Sequence, residues 1–433
     1  MTLFGLLLLF ASAVHADAPD YMTLLKKFRA AGVMNYCGVA PGVQFQAPPA
    51  GVSHVVMVMR HGDRSSWGWY HDPAAPAGRL SCFPGDAAVW QCDDATHNEF
   101  VGMKHSATVE APWLYRRVYL KGRNVQAGTC AQGVLSNRGI QQQITNGHNI
   151  RAAYIPGVLP DNWESVGSDA FFLRSTNVPR TIQSGDSMFY GVYGNHTRFA
   201  SSKAIPVIDL HTMDETMDNM TPNPNICPGL VRNANAATSS PAWRAFETQY
   251  LNPLVQEVAS AINYPNLTAD DLNNLLDCSR AHLCHGKPIH PNVTVSLLER
   301  MAAANAFAYQ YSFTYPSWDA GARVNIGTIF QDIHDEIETG APLGRVFSLF
   351  SGHDTTVLPM LMALNVTNAL WPPYAATLIF EVTRDANSQP THVRALYLGQ
   401  PLQVPFCAQI VCKWAEFQTF VGVVQPTAKD CAP

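Results

Sequence analysis

Charged residues are scarce in this chain of 433 residues, because Asp, Glu, Lys and Arg together make up only 14% of it. The formal net charge is -5, and no run of basic residues is present that would indicate binding to nucleic acid. No internal repeat or low-complexity segment stands out. A chain of this length and composition is predicted to fold as one large domain or as two closely packed domains.

Long apolar stretches are missing except at the N-terminus, where LFGLLLLFASAV occupies residues 3–14. This stretch is shorter than the roughly 20 residues that a helix needs to cross a bilayer, so no stable membrane span is predicted. Val14 and Ala16 fit the small-residue rule for signal-peptide cleavage. Residues 1–16 are therefore predicted to be a signal peptide, and residues 17–50 to lead into the first domain. A buried N-terminal helix is the alternative, and retention as a short anchor stays open.

The ten cysteines all lie beyond the proposed cleavage site. An even number of cysteines in a secretory chain indicates disulfide bonds, although spacing alone does not determine the pairs. Neighbours such as Cys278/Cys284 and Cys407/Cys412 could each close a small loop. A zinc site is the rival interpretation, but the CxxC pairs that usually hold zinc are missing.

Five N-x-S/T sequons also favour the secretory pathway, where the asparagine can be glycosylated. One or two sequons would mean little, whereas five agree with the signal-like N-terminus and the even number of cysteines. The candidate glycosylation sites are Asn195, Asn219, Asn266, Asn292 and Asn365.

Three apolar segments are each followed by polar, chemically reactive side chains. They are VVMVMRHGDR at residues 55–64, AFFLR at residues 170–174 and RVFSLFSGHD at residues 345–354. Segments that are apolar on both faces are typical of strands in a parallel sheet covered by helices. Ligands bind outside the carboxyl ends of the strands in such sheets, so we expect the three polar clusters to meet in one pocket.

The segments between these strands predict helices and one irregular region. Residues 65–135 are rich in Gly, Pro and aromatic residues and are predicted to be irregular. Ser136 is positioned to cap a helix that follows it, and residues 225–310 carry several helical patterns. TLIFEV and HVRALYLG, at residues 377–382 and 392–399, are predicted to be closing strands.

The pocket would contain arginines, histidines and a carboxylate, a set that suits a phosphate monoester. Guanidinium groups match phosphate oxygens, and their positive charge would keep His61 neutral and nucleophilic. Asp354 is placed to protonate the leaving oxygen, which favours activity at acidic pH, and Gly62 would give phosphate access to backbone N–H groups. No metal ion or cofactor is required. The residues predicted to bind the phosphate are Arg60, Arg64, Arg174 and His353.

RHGDR at residues 60–64, LRSTNVPRT at residues 173–181 and SGHDTT at residues 351–356 resemble the histidine acid phosphatases. The resemblance covers most of the chain and implies an α/β fold that is phosphoglycerate mutase-like. Such a fold has a mainly parallel central sheet with flanking helices and an inserted, mostly helical cap. We therefore expect a discontinuous core at 51–205 and 311–433, with the cap at 206–310.

The resemblance also implies roles for single residues. It makes His61 the nucleophile and Asp354 the proton donor, and it assigns phosphate binding to the three arginines and His353 named above. Ser66 stands where the family commonly has a proline, which puts the shape of that loop in doubt. Arg180 and the scattered histidines are interpreted as structural residues, with Arg180 shaping the loop after Arg174.

A narrower resemblance links residues 130–160, PRTIQSG at 179–185 and the Cys278/Cys284 region to 2-phosphoxylose phosphatases. It implies removal of phosphate from xylose in the glycosaminoglycan–protein linkage region, in the Golgi lumen. A secreted acid phosphatase of broad specificity, a phytase and a phosphate-transferring mutase are the alternatives. A further alternative, from a different functional class, is a catalytically inactive relative that binds phosphorylated glycans. The partner is thus a phosphorylated small molecule or glycan, and the oligomeric state stays open.

Overall fold

The computed structural model describes residues 18–39, 45, 47–71, 73, 79–92, 125–162, 168–194 and 208–433. The predicted signal peptide, the sequon at Asn195 and the predicted domain boundary at residue 205 lie outside these ranges, as does much of the irregular region. Within them, no helix combines the length and the apolar character that crossing a membrane requires.

A central sheet of eight strands organises the fold. In chain order the strands are β1 (Val52–Arg60), β2 (Phe171–Ser175), β3 (Leu210–His211), β4 (Phe347–Gly352), β5 (Thr377–Arg384), β6 (Pro390–Tyr397), β7 (Gln400–Leu402) and β8 (Val411–Lys413). Across the sheet the order is β3-β2-β4-β1-β5-β6-β7, and β8 also pairs with β6. The three strands predicted to precede polar clusters are therefore consecutive in the sheet, with β4 between β2 and β1.

The predicted α/β fold with a central sheet and flanking helices is confirmed, and the sheet itself is mixed. Strands β1 to β4 pair in parallel, whereas β5 to β8 are joined by antiparallel pairing. The expectation of a mainly parallel sheet therefore holds only for one half. Only residues 385–389 connect β5 to β6, and so short a connection can return the chain only in the antiparallel direction.

Helices surround the sheet. The described α-helices are α1 (Tyr21–Ala31), α2 (Asn137–Tyr154), α3 (Pro179–Tyr193), α4 (Gly229–Thr238), α5 (Pro241–Phe246), α6 (Asn252–Ala261), α7 (Ala269–Cys284), α8 (Val295–Phe313), α9 (Trp318–Asn325), α10 (Gly327–Gly340), α11 (Asp354–Ala363) and α12 (Trp414–Val424). Short 3-10 turns lie at Val33–Cys37, Ser168–Ala170 and Glu215–Met217, and a π-helical turn at Glu247–Leu251 joins α5 to α6. Ser136 caps α2 as predicted, because its side chain accepts the backbone N–H of Gly139.

Both faces of the sheet are covered. Helices α2 and α3 pack on the face that carries Val55, Met57 and Met59. Helices α10, α11 and α12 pack on the opposite face, which carries Val56 and Val58. Burial on both faces explains why the apolar residues of β1 run without interruption, since each one leaves water.

Helices α2 and α3 cross through contacts between glycines. A Cβ atom on Gly147 of α2 would lie 2.1 Å from the carbonyl oxygen of Met188, and one on Gly191 of α3 would lie 2.2 Å from that of Ile144. The two backbones therefore approach to a distance that only glycine permits. This crossing fixes α3, whose first turn contributes to the site described below.

A separate hydrophobic cluster joins α1 and the helices α5 to α8 to one face of α11. The segment at residues 225–310, predicted to be helical, forms α4 to α8, and α8 continues past residue 310 to Phe313. The division into a core domain and a cap domain stays a prediction.

The ten cysteines form five disulfides, and only one of the two pairs suggested by spacing is correct. The bonds are Cys37–Cys284, Cys82–Cys278, Cys92–Cys130, Cys227–Cys431 and Cys407–Cys412. Cys278 and Cys284 do not pair with each other, because a separation of six residues on α7 places them about 9 Å apart along the axis, beyond the reach of a disulfide. Both described groups of potential metal ligands contain one of these disulfides, so their sulfur atoms are not thiolates.

Gly147→Ala and Gly191→Ala are each expected to lower the free energy of unfolding by about 1–3 kcal/mol, because the added methyl group overlaps a backbone carbonyl. Gly422→Ala is the matched control, since no atom lies within 4 Å of its added Cβ on α12. That variant should be neutral or slightly more stable. Denaturant unfolding followed by circular dichroism measures all three, and unchanged midpoints for both core variants would contradict the close crossing.

Candidate active site

The carboxyl ends of β1 and β4 lie side by side, because Arg60 pairs with Gly352 in the parallel ladder. His61 and His353 therefore leave the sheet at adjacent points, and the centroids of their rings are 5.6 Å apart. Both imidazoles are buried. The two polar clusters that follow these strands thus meet in the structure.

Arg60 forms the base of this site. Its guanidinium lies between the rings of Tyr36 and Tyr374, at 4.6 and 4.3 Å from their centroids, in cation–π contact with both. It also donates to the Tyr36 hydroxyl at 2.6 Å and forms an ion pair with Asp354 at 2.8 Å. These contacts hold a fully buried cation in one orientation beside His61.

His61 is held in the tautomer that leaves Nε2 unprotonated. Its Nδ1 lies 2.7 Å from the carbonyl oxygen of Gly62, which can only accept a hydrogen, so Nδ1 carries the proton. Burial, together with the positive charges of Arg180 and Arg60, lowers the pKa of His61 well below its ordinary value of 6.5. The neutral imidazole therefore offers a nitrogen lone pair even in mildly acidic solution.

Arg180 supplies a third arginine to the site, although the sequence suggested only a structural role for it. It lies in the first turn of α3, and its Nη2 is 3.3 Å from Nδ1 of His353. Because a guanidinium only donates, His353 Nδ1 accepts and its Nε2 donates to the hydroxyl of Thr176 at 2.9 Å. Burial and the charge of Arg180 lower the pKa of His353 to about 3.

Arg174 lies elsewhere, so the structure contradicts its predicted place in the phosphate site. Strand β2 continues past this position, and the pleat of the strand therefore sets the direction of the side chain. Its guanidinium contacts Asp332, Asn219 and Asp218 at 2.6, 2.5 and 3.3 Å. Arg174 and Asp332 line a separate pocket beside α10, and His61 is not among the residues that line it.

Asp354 is the first residue of α11. Its Oδ2 accepts from Arg60 at 2.8 Å and from the indole N–H of Trp371 at 3.0 Å, and its Oδ1 accepts from the backbone N–H of Thr355 at 2.9 Å. Burial alone would raise the pKa of Asp354, but Arg60 and Trp371 outweigh it and lower that pKa to about 2. In the free protein this residue is a carboxylate, so a proton that it donates must arrive with the ligand.

Arg64 reaches helix α7 and binds Asp277 there. Its Nη2 donates to both carboxylate oxygens, at 2.9 and 3.0 Å, and the Tyr36 hydroxyl donates to the same carboxylate at 3.1 Å. A separation of 213 positions divides Arg64 from Asp277, so no local pattern in the sequence marks this contact.

Backbone contacts fix the loop after β1. The sequence predicts room for phosphate at Gly62, but its N–H donates to the hydroxyl of Ser184 at 3.1 Å, and an added Cβ would lie 2.3 Å from the carbonyl oxygen of Gly139. The glycine therefore allows the start of α2 to approach the loop. Ser66 accepts two hydrogen bonds from Gln126, at 2.6 Å on its carbonyl and 3.0 Å on its hydroxyl, and these bonds hold the position where a proline was expected.

Tyr374 is a further residue that sequence reasoning missed. Its side chain is fully buried, its ring centroid is 5.9 Å from that of His61, and its hydroxyl has no hydrogen-bond partner among the described residues. An unpaired buried hydroxyl is costly, so a bound anion would give this group the partner that it lacks. The remaining site residues that the sequence did not reveal are Tyr36, Arg180, Asp277 and Trp371.

The four described sequons differ in accessibility. Asn266 and Asn292 are exposed, whereas Asn365 is only partly exposed. The amide nitrogen of Asn219 donates to Asp332 at 2.9 Å, beside Arg174. Glycosylation at these positions stays a prediction, with Asn266 and Asn292 the more accessible acceptors.

Most of the chain matches a known protein family. The family model of the histidine phosphatase superfamily (branch 2) matches residues 51–398 of the chain. Counting factor 60 of Dictyostelium discoideum is 28% identical over 331 residues, which make up 75% of this chain and 77% of that protein. Human lysosomal acid phosphatase is 24% identical over 58% of this chain and 60% of its own length.

Solved structures with a similar fold include two enzymes. The phytase of Hafnia alvei in complex with tartrate has a TM-score of 0.55 and 14% identity, covering 89% of this chain and 100% of its own. The multiple inositol polyphosphate phosphatase of Bifidobacterium longum, in its apo form, has a TM-score of 0.56 and 12% identity, covering 94% and 100%. At these identities the likeness shows the fold alone.

Arg180→Gln is expected to raise the pKa of His61, because removing a nearby positive charge stabilises the protonated imidazole. Arg174→Gln is the matched control and should leave that pKa unchanged, since Arg174 lies in the other pocket. The measurement is a pH titration of ¹³C-labelled histidine by NMR, with the His61 signal assigned by its loss in His61→Ala. A shift caused by Arg174→Gln but not by Arg180→Gln would contradict the assignment.

Proposed function

We propose that this chain, which belongs to branch 2 of the histidine phosphatase superfamily and is a phosphatase, hydrolyses phosphate monoesters through a covalent phosphohistidine on His61. The observation that carries the proposal is a neutral imidazole, with Nε2 unprotonated, among three arginines. Guanidinium groups match phosphate oxygens in geometry and charge, so the arrangement suits a phosphate dianion or monoanion.

The first step transfers the phosphoryl group to the protein. Nε2 of His61 attacks the phosphorus, an N–P bond forms, and the P–O bond to the leaving group breaks. Arg60, Arg64 and Arg180 would hold the oxygens over which charge is spread in the transition state. The bound anion raises the pKa of His353, and the protonated His353 then becomes a further donor to these oxygens.

The leaving oxygen needs a proton, and Asp354 is the carboxyl group placed to deliver it. Its pKa of about 2 in the free site means that the proton enters with the substrate. A phosphate monoester carries one proton below its second pKa of about 6, and the bound negative charge also raises the pKa of Asp354. Acidic solution therefore supplies the proton while His61 stays neutral.

The second step returns the protein to its starting state. The Asp354 carboxylate, left after the first step, takes a proton from a water molecule that attacks the phosphohistidine. The N–P bond breaks, and His61 regains its lone pair. Inorganic phosphate leaves with the proton that Asp354 took from water, so Asp354 is again a carboxylate. None of these bond changes uses a metal ion or a cofactor.

We propose a sugar phosphate as the substrate class, with xylose 2-phosphate of the glycosaminoglycan–protein linkage region as the specific candidate. The resemblance of residues 130–160 and 179–185 to 2-phosphoxylose phosphatases supports it, as does a carboxylate, Asp277, beside the phosphate-binding arginines. A broad-specificity acid phosphatase is the alternative that the name of the human relative supports. A phytase is the further alternative, and the Hafnia alvei phytase shares the fold of this chain.

A mutase and an inactive binding protein have less support. A phosphate-transferring mutase serves cytosolic metabolism, whereas five disulfides favour an oxidising compartment. We accordingly propose that the protein acts in the secretory pathway, either secreted or in the Golgi lumen. An inactive relative that binds phosphorylated glycans would not need both His61 and Asp354, and both are present.

The test is phosphate release by the protein purified from a secretory host, in EDTA at pH about 5. The substrates are 4-nitrophenyl phosphate, phytate and a linkage-region glycan carrying 2-phosphoxylose. Wild-type protein should release phosphate, whereas His61→Ala should lose at least about 10³-fold in rate while keeping its circular dichroism spectrum, because the nucleophile is gone.

The pattern across the substrates decides between these functions. Release from the glycan far above the others supports the sugar-phosphate proposal, and comparable release from all three supports a broad-specificity enzyme. Phytate as the preferred substrate would support a phytase. Activity of His61→Ala close to the wild-type level would overturn the proposed nucleophile, and no release by folded wild-type protein would favour the inactive binding relative.

A further inference from the structure

We propose that Asp277 is a specificity-determining residue that selects phosphate monoesters with an uncharged, hydroxyl-bearing leaving group and discriminates against polyphosphorylated substrates. The inference rests on the proposed function of the site and assigns substrate selection to one carboxylate. That carboxylate comes from helix α7, in the segment predicted to form the cap, and not from the strand ends that supply His61 and Asp354.

The contacts of Asp277 connect it to both arginines of the RHGDR motif. Nη2 of Arg64 donates to its two oxygens at 2.9 and 3.0 Å, and the Tyr36 hydroxyl donates to its Oδ1 at 3.1 Å. The same hydroxyl accepts from Arg60 at 2.6 Å. The Asp277 side chain is 26% exposed against 10% for Arg64, so a substrate that approaches Arg64 from solvent meets this carboxylate.

Asp277 also lies towards the side on which the leaving group must sit. The proposed proton donor Asp354 accepts from Trp371, and the ring of Trp371 is 5.0 Å from that of Tyr309 on α8. Burial, Asp354 and the α7 carboxylates Asp270 and Asp277 raise the pKa of Tyr309, whereas a hydrogen bond with Asn273, one turn before Asp277 on α7, lowers it. Two aromatic rings therefore lie beside Asp354, where the leaving group is expected, and Asp277 shares the face of α7 whose Asn273 bonds to one of them.

The charge of Asp277 determines which leaving groups fit there. A carboxylate accepts hydrogen bonds from sugar hydroxyls, whereas a second phosphate would bring nearly two more negative charges beside it. In a partly buried site that repulsion corresponds to a loss of affinity on the order of 10-fold or more. Arg280, one turn further along α7, is 6% exposed and its guanidinium lies 4.6 Å from the centroid of the Tyr36 ring, so it is not available to contact a second phosphate directly.

A purely structural role is the competing explanation, in which Asp277 only orients Arg64. That role predicts that removing the carboxylate weakens every substrate to the same degree. Asp277→Asn separates the two explanations, because the amide keeps the shape and one acceptor oxygen but removes the charge. Glu257→Gln is the matched control, since Glu257 is an exposed carboxylate paired with Arg300 at 2.5 Å on the surface of the same helical region.

The experiment compares kcat/KM for xylose 2-phosphate, 4-nitrophenyl phosphate and phytate in wild type, Asp277→Asn and Glu257→Gln. The ratio for phytate over xylose 2-phosphate should rise at least about 10-fold in Asp277→Asn and stay unchanged in Glu257→Gln. Calorimetry with phytate on the His61→Ala background adds a readout that needs no turnover. There, Asp277→Asn should bind phytate at least about 10-fold more tightly.

The outcomes distinguish failure of this inference from failure of the proposed function. An unchanged ratio and unchanged phytate affinity overturn the role of Asp277, while turnover of 4-nitrophenyl phosphate by wild type would still support the phosphatase. Equal losses on all three substrates also overturn it, in favour of a structural role. If wild-type protein turns over none of the substrates, the proposed function fails, and calorimetry alone tests the role of Asp277. Tighter phytate binding by Asp277→Asn would then support selection by charge, and unchanged binding would overturn it.

Discussion

Mutual repulsion among three arginines is the constraint on which this site depends. Arg60, Arg64 and Arg180 approach one another at the strand ends, and such a cluster is stable only when negative charge lies among them. In the free protein Asp354 and Asp277 neutralise two of the three guanidinium groups, at 2.8 and 2.9 Å. A bound phosphate ester can take over part of this role, so a substrate must rearrange the same carboxylates that stabilise the three arginines.

The fold brings these charges together from distant parts of the chain. Parallel pairing of β1 and β4 places His61 beside His353, and the glycine crossing of α2 and α3 holds Arg180 next to them. Helix α7, which carries Asp277, is anchored by two disulfides at Cys278 and Cys284. One of them ends at Cys37, directly after Tyr36, whose hydroxyl accepts from Arg60 and donates to Asp277. A covalent bond therefore holds α7 beside the site.

Sequence reasoning could predict the residues that directly follow a buried strand. RHGDR and GHD could be predicted in this way, because an unbroken apolar run indicates the strand and the polar residues indicate where it ends. The sequence could not show whether Arg174 or Arg180 enters the site. The segment AFFL does not reveal that β2 continues to Ser175, which directs the Arg174 side chain away from His61. Asp277 and the disulfide pairs depend on contacts between segments some 200 residues apart, for which a single sequence carries no local signal.

The most direct test of the account is a crystal structure of the protein with vanadate, a mimic of the phosphoryl group in transfer. We expect vanadium bonded to Nε2 of His61, with oxygens contacting Arg60, Arg64 and Arg180 and an apical oxygen within hydrogen-bond distance of Asp354. We also expect Arg174 to keep its partners in the separate pocket. Vanadate bound at Arg174, or away from His61, would contradict the central claim that the three arginines form the phosphate site.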